Sequence, residues 1–210
     1  MARSIVVFGG RGHGRVVIDA LRAGAEFTPV AVEDPDLSGE VDGVPVIVGR
    51  DAAAALRAAG VDAAAIGVGS VGDPALRRRL HAEALEDGFA LPPIVHPRAT
   101  VAATATLSPG CFVAAGAVIG PGTRIGEGAL INSNAVVDHD CVVGDFAHIA
   151  PGATLSGAVT VGDGAHVGAG AAVIQESHIG AGAMVGVGAA VIGDVPDGAV
   201  AVGVPARHER

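Results

Sequence analysis

From Val101 to Val191 every sixth residue is valine, isoleucine or leucine, through sixteen consecutive positions with no insertion or deletion. Four residues after each one the side chain is small: Ala105, Cys111, Ala117, Thr123 and so on to Ala189, with Val159 the bulkiest. The residue just after the aliphatic is mostly Gly, Ala, Ser, Asn or Asp, with Ile174 and Ile192 as departures. A six-residue period is too short for a helical solenoid and suits a β-solenoid, in which each hexad supplies one short strand and one corner. Three hexads close a triangular coil of eighteen residues, so the ninety residues of the repeat give five coils and a prism roughly 24 Å long.

The first half has a different rhythm. Residues 4–8 and 28–32 are apolar strand runs, and 63–68 is a third. Between them lie helical segments: one from near Arg15 to a stop at Gly24, one over 51–59, and one from the Asp73-Pro74 cap to Gly88. Alternating strands and helices imply a parallel sheet that binds ligands at the carboxyl ends of its strands. Pro92-Pro93 and Pro97 mark the join, dividing the chain at 1–95 and 96–210.

Composition sharpens this picture. The chain holds 33 glycines, no tryptophan or tyrosine, and only five phenylalanines, as a thin prism without room for indole rings requires. All 13 basic residues are arginine, which removes the usual Walker motif and every lysine-based covalent mechanism. The net charge of −9 argues against nucleic acid but not against a small anion held by local arginines. Cys111 and Cys141 form no CxxC and both occupy the small internal position of the repeat, so a structural role is expected in a reducing compartment. Neither a signal peptide nor a membrane span is expected, and the expected location is the cytoplasm.

The candidate chemistry lies in two places. At the carboxyl edge of the first domain, the loop Gly9-Gly10-Arg11-Gly12-His13-Gly14, the Glu33-Asp34 pair and the loop at 67–70 converge. A glycine-rich turn entering a helix either cradles an anion or merely turns tightly, and the spacing departs from GxGxxG. In the prism, polar residues cluster at Asn132-Ser133-Asn134, at Asp138-His139-Asp140, and at Asp145 and His148. A histidine between two carboxylates is a candidate general base, although a solvated corner histidine has the same signature. Adjacent strand residues point to opposite sides, so both aspartates reach the ring only if a corner intervenes, and the choice between Asp138 and Asp140 stays open. Gly157, eighteen residues on, belongs directly above His139, where bare backbone suits an oxyanion donor. His148 and His166 share that spacing and should stack; His166 and His178 are otherwise expected at the solvated surface.

The combination of GGRGHG, VVDHDCVVGDFAHIAPGATLSG and a closing VGVPAR resembles the bacterial nucleotide-sugar and sialic-acid acetyltransferases of the hexapeptide-repeat superfamily. That group includes the bacillosamine and perosamine N-acetyltransferases. The resemblance implies a small Rossmann-like α/β N-terminal domain that binds a nucleotide sugar, followed by a left-handed parallel β-helix. It implies direct acetyl transfer from acetyl-CoA, with His139 as base, Asp140 as its carboxylate and the Gly157 backbone at the oxyanion. Asp140 stands where some members carry glutamate. By the same resemblance His148, Ala169 and Val187 meet acetyl-CoA, and Gly12, His13, Gly14, Glu33, Asp34, Gly67 and Asn132 meet the sugar substrate. It further implies a homotrimer; no metal, no nucleic acid and no membrane insertion are expected. O-acetylation of a sialic acid is the alternative activity, and a non-catalytic nucleotide-sugar-binding protein the alternative class. A zinc enzyme of the prism fold is disfavoured, because His139, His148, His166 and His178 include no close pair.

Overall fold

The computed structural model of the chain describes residues 2–208. Its N-terminal half is a five-stranded sheet in the order β3-β4-β2-β1-β5. Strands β1 (Arg3–Phe8), β2 (Phe27–Glu33), β4 (Val44–Ile47) and β5 (Ala63–Ile66) run parallel, as expected. The edge strand β3 (Glu40–Val41) breaks the rule, pairing antiparallel with β4. The cause is the Asp42-Gly43 turn, whose two residues both take left-handed φ values of 47° and 74°, the conformation of a tight two-residue hairpin. Helices α1 (Gly12–Ala23) and α2 (Arg50–Ala58) connect parallel strands, and α3 (Ala75–Glu86) follows β5. Helix α1 therefore starts inside the glycine loop, three residues earlier than the sequence suggested. Its buried face of Val17, Ile18 and Leu21 packs on Ile5 and Val7.

From Ile94 onward the chain winds as a left-handed three-sided β-helix, each side a parallel sheet of two-residue strands. The first of these strands, Ile94–Val95, lies just ahead of the boundary expected at 95/96. Face I carries the strands that start at Thr100 and recur every eighteen residues to Ala190. Face II runs likewise from Thr106 to His178, and face III from Ile94 through Leu130, His148 and His166 to the closing Arg207–His208. Val137 pairs with Leu155, and Leu155 with Val173, which establishes the eighteen-residue circuit directly. The aliphatic residues and their small partners form one continuous core, with Val137 and Leu155 at 0% exposure.

The corners explain the glycine content. The third residue after each aliphatic takes a left-handed φ at nearly every turn, and glycine usually fills it. Where it does not, the chain tolerates the strain at Asn134, Asp140, Phe146, Ala158 and Glu176. Three of these five flank or belong to the polar cluster around His139.

The two halves share their apolar interior: Phe112 and Leu130 of face III are buried with Ile5, Val17 and Leu21 of the first domain. The joint is fastened by Arg77, which is 1% exposed. Its guanidinium donates to the carbonyls of Ile66, Val68 and Gly128 at 2.8 Å each and to Gly110 at 3.1 Å. Burial pushes its pKa down to about 9, so it remains cationic at neutral pH. Arg78 stacks over the Phe146 ring beside it, at 4.3 Å. The first domain thus covers face III and the edge between faces II and III.

Candidate functional site

At the carboxyl edge of the N-terminal sheet lies a cavity of about 300 Å³, lined by Gly9, His13, Gly67 and Gly69, by the 33–36 segment, and by Arg11 and Arg79. Two of the three convergent loops owe their glycines to packing. A Cβ on Gly14 would sit 2.2 Å from the Gly9 carbonyl oxygen, and one on Gly67 2.1 Å from the same atom. Only bare backbone lets the three strands of chain meet there. Gly12, at the start of α1, has open space around it.

The acidic pair at the end of β2 is buried and engaged within the chain. Asp34 accepts the Gly10 N–H at 2.9 Å through one oxygen and the Asp36 N–H at 3.0 Å through the other, which shapes the glycine loop. Glu33 accepts the Gly49 N–H at 3.2 Å, and burial raises its pKa. His13 lines the cavity with its ring edge-on to Phe112, and burial lowers its pKa to about 3, so the imidazole is neutral. The cations of the cavity, Arg11 and Arg79, were not singled out from the sequence. Arg11 stands within GGRGHG and was the available signal, whereas Arg79 faces the cavity only because α3 turns it there.

His139 occupies the corner between faces I and II. A corner does intervene, and it selects the aspartate. Asp140, at φ 58°, turns back so that its Oδ2 accepts the His139 Nδ1–H at 2.9 Å. Asp138 instead accepts the backbone N–H of His139 at 2.7 Å and shapes the corner. With Nδ1 carrying the proton, Nε2 is left as the basic atom. The hydrogen bond donated to Asp140, and then the charge of Asp138, raise the His139 pKa. Gly157 sits above the ring as its spacing requires: a Cβ there would lie 2.5 Å from His139 Nε2. Its carbonyl accepts from the Glu176 N–H, while its own N–H has no partner among the described residues. The exposed His139 ring therefore lies directly against the Cα of a buried glycine whose N–H has no partner among the described residues.

The remaining prism residues lie elsewhere. His148 is on face III, buried beneath the first domain: its Nδ1–H donates to the Ser70 carbonyl, and its Nε2 accepts from Asn132 Nδ2 at 3.2 Å. Both ring nitrogens are engaged within the chain, and burial lowers the pKa to about 4. The expectation of a solvated His166 is overturned. Its ring packs edge-on to His148 with centroids 4.8 Å apart and is 8% exposed; Ser70 meets His148 and Gly72 approaches Met184, the residues that pair with it on either side. His178 is exposed, as expected. Ala169 and Val187 stack on the edge between faces III and I, where Val187 is 80% exposed. Cys111 and Cys141 are both fully buried, and burial pushes the Cys111 thiol up to about 12.

Residues 4–84 match the family model of the PglD N-terminal domain, and residues 122–157 that of the bacterial transferase hexapeptide (six repeats). A perosamine N-acetyltransferase mutant from Caulobacter crescentus, solved with CoA and GDP-perosamine, superposes with a TM-score of 0.93 at 40% identity over 99% of this chain and 97% of that one. The acetyltransferase domain of PglB from Neisseria gonorrhoeae, solved with acetyl coenzyme A, gives 0.90 at 34% identity over 100% of both chains. WeeI from Acinetobacter baumannii gives 0.76 at 27% identity over 99% of this chain and 100% of that one.

Proposed function

The chain belongs to the hexapeptide-repeat nucleotide-sugar acetyltransferases with a PglD-type N-terminal domain, and from that premise we propose that it acetylates an amino group of a nucleotide-linked sugar. The observation that carries the reading is His139 Nε2 packed against Gly157, whose N–H has no partner among the described residues, with Asp140 holding the opposite ring nitrogen. Acetyl-CoA is the donor. The acceptor nitrogen attacks the thioester carbonyl as its proton passes to His139 Nε2, and the C–N bond forms. The tetrahedral oxygen takes a hydrogen bond at the Gly157 N–H. On collapse the C–S bond breaks and CoA leaves as the thiol, taking the proton from the imidazolium. Base catalysis of this kind contributes about 10²–10⁴-fold, and one oxyanion donor about 10²–10³-fold. No acetyl-enzyme is expected, since both thiols are buried and their pKa values are raised.

Nucleotide binding is assigned to the cavity beside His13, with Arg11, Arg79 and the N-terminus of α1 toward the phosphates. That cavity lies in the domain covering face III, whereas His139 is on the edge between faces I and II, which in a three-sided prism is the edge opposite. One chain thus separates its base from its own cavity, and a second copy brings them together. Face I favours such contact: its outward residues Thr100, Val118, Val136, Thr154, Ala172 and Ala190 are small and uncharged. We therefore assign a cyclic homotrimer, with acetyl-CoA lying between neighbouring prisms near Ala169 and Val187. We assign the reaction to the cytoplasm. Among the described residues no helix is long and apolar enough to cross a membrane.

The test is thiol release from acetyl-CoA against a panel of UDP-, GDP- and dTDP-linked amino sugars and free sialic acid. Release with a nucleotide-linked amine, giving a product stable to hydroxylamine, is expected. Release only with sialic acid, giving a hydroxylamine-labile ester, would assign O-acetylation instead. Binding in the first domain without thiol release would make the protein a non-catalytic receptor.

A further inference from the structure

Two edges of the prism close every corner in one way. The small inward residue donates its N–H to the carbonyl three positions earlier, as Ala135 does to Asn132 at 3.0 Å and Ala165 to Gly162 at 3.2 Å. On the edge between faces I and II, Ala105 closes onto Ala102 like this, but the corners ending at Thr123, Cys141, Val159 and Ser177 do not. The sequence differs at the same places. The other two edges use alanine there, Cys111 apart, whereas this edge uses threonine, cysteine, valine and serine.

In the corner at 138–141, which carries His139 and Asp140, a hydroxyl from the coil beneath takes the place of the missing bond. Thr123 Oγ1, on a side chain with 0% exposure, donates to the Asp138 carbonyl at 2.6 Å and accepts the Cys141 N–H at 3.2 Å. One coil higher the thiol of Cys141 repeats the arrangement. Its Sγ donates to the Ser156 carbonyl at 3.2 Å, at the start of the corner that ends at Val159. That second corner carries Gly157. Each polar atom is inserted into a turn, holding its ends apart by one atom. The first turn holds the base and the second the free N–H.

We infer that Thr123 and Cys141 are positioning residues, an internal polar column that sets the separation between the His139 corner and the Gly157 corner. The inference rests on the roles proposed for His139 and Gly157. Neither Thr123 nor Cys141 touches substrate. Losing either lets its corner close to the ordinary form and moves the imidazole or the oxyanion donor off line, while the binding surfaces stay intact. Misplacement by about 1 Å is enough to cost about 10²-fold in rate.

The experiment is steady-state kinetics by thiol release, using acetyl-CoA and the panel acceptor of highest turnover, with thermal melting alongside. Thr123→Ala installs the residue that both other edges already carry, so the fold is retained. Its kcat should fall at least about tenfold, with KM for both substrates within about threefold of the parent. Thr123→Ser, which restores the bridging hydroxyl, should recover kcat to within about threefold. Cys141→Ala and Cys141→Ser should repeat that contrast. Should the alanine variant at 123 fail to fold, Thr123→Val keeps the volume without the hydroxyl and carries the same expectation. A Thr123→Ala enzyme with kcat within about threefold of the parent, or a serine variant as impaired as the alanine one, overturns the inference. His139→Ala separates the two levels. If it keeps full turnover, the functional reading itself fails; if it is inactive while Thr123→Ala is unimpaired, only the positioning role is lost.

Discussion

Gly157→Ala separates catalysis from stability most cleanly. The substituted Cβ would stand 2.5 Å from His139 Nε2 and 2.6 Å from Cε1, where contacts between heavy atoms ordinarily begin near about 3.5 Å. The imidazole must therefore retreat by about 1 Å from the new methyl, and so from Gly157. The retreat is easy for the fold, since the His139 side chain is 58% exposed. Gly157 has no left-handed φ to lose, so alanine fits the backbone and restricts the unfolded chain, an effect worth about 0.4–1 kcal/mol in favour of the native state. Chemistry has no such latitude: displacement on this scale costs about 10²-fold. The expected result is an unchanged or slightly raised melting temperature with kcat reduced about a hundredfold in the thiol-release assay. Turnover within about threefold of the parent, or a loss of activity that tracks a loss of stability, would refute the proposed pairing of Nε2 with the oxyanion donor.

Three further outcomes follow from the same geometry. Asp140→Asn removes the main cause of the raised His139 pKa; since only neutral imidazole accepts a proton, the acid limb of kcat/KM should move to lower pH and the plateau should fall. A pH profile that does not move would detach Asp140 from the base. Stability should decline on acidification, because burial holds His13 near about 3 and His148 near about 4, both below the ordinary 6.5, and depresses His81 and His166 as well. The unfolded chain binds protons that the native state refuses, so stability is complete above pH 6.5 and is lost as the pH falls toward about 4. Denaturant midpoints that stay flat across that window would contradict it. Leu155→Ala, in the middle of the Val137–Leu155–Val173 column, should cost about 2–5 kcal/mol in urea unfolding, and a loss under about 1 kcal/mol would deny that the prism core is close-packed.

The prism was legible because its period is strict: one aliphatic residue in six leaves little alternative winding, and the stacking of Gly157 on His139 followed from arithmetic alone. The left-handed corner at Asp140 was not legible, since aspartate does not announce a positive φ as glycine does. That single dihedral decides which carboxylate reaches the ring. The β3–β4 hairpin did carry a signal in Asp42-Gly43, hidden by the shortness of its strands. Arg77 had none. A cation is buried only where carbonyls from distant segments converge, and Gly110 and Gly128 are far from it in the chain. The same holds for His166, whose cover comes from a loop almost a hundred residues earlier. Glu33 and Asp34 line the cavity at the sheet edge, but their carboxylates shape the loops through backbone donors, which residue type alone does not reveal.

The central claim, that base and nucleotide cavity meet only between copies of the chain, is tested by mixing two disabled variants. His139→Ala lacks the base. Gly69→Asp places a carboxylate in the cavity at a position where the added Cβ makes only an ordinary 3.6 Å contact with His13. Each homotrimer should be inactive. Co-expressed at equal levels, they should regain about a quarter of parental thiol release, the fraction of neighbouring pairs in which both halves are intact. Mixed trimers as inactive as either parent, or a monomeric protein with full activity, would contradict the account.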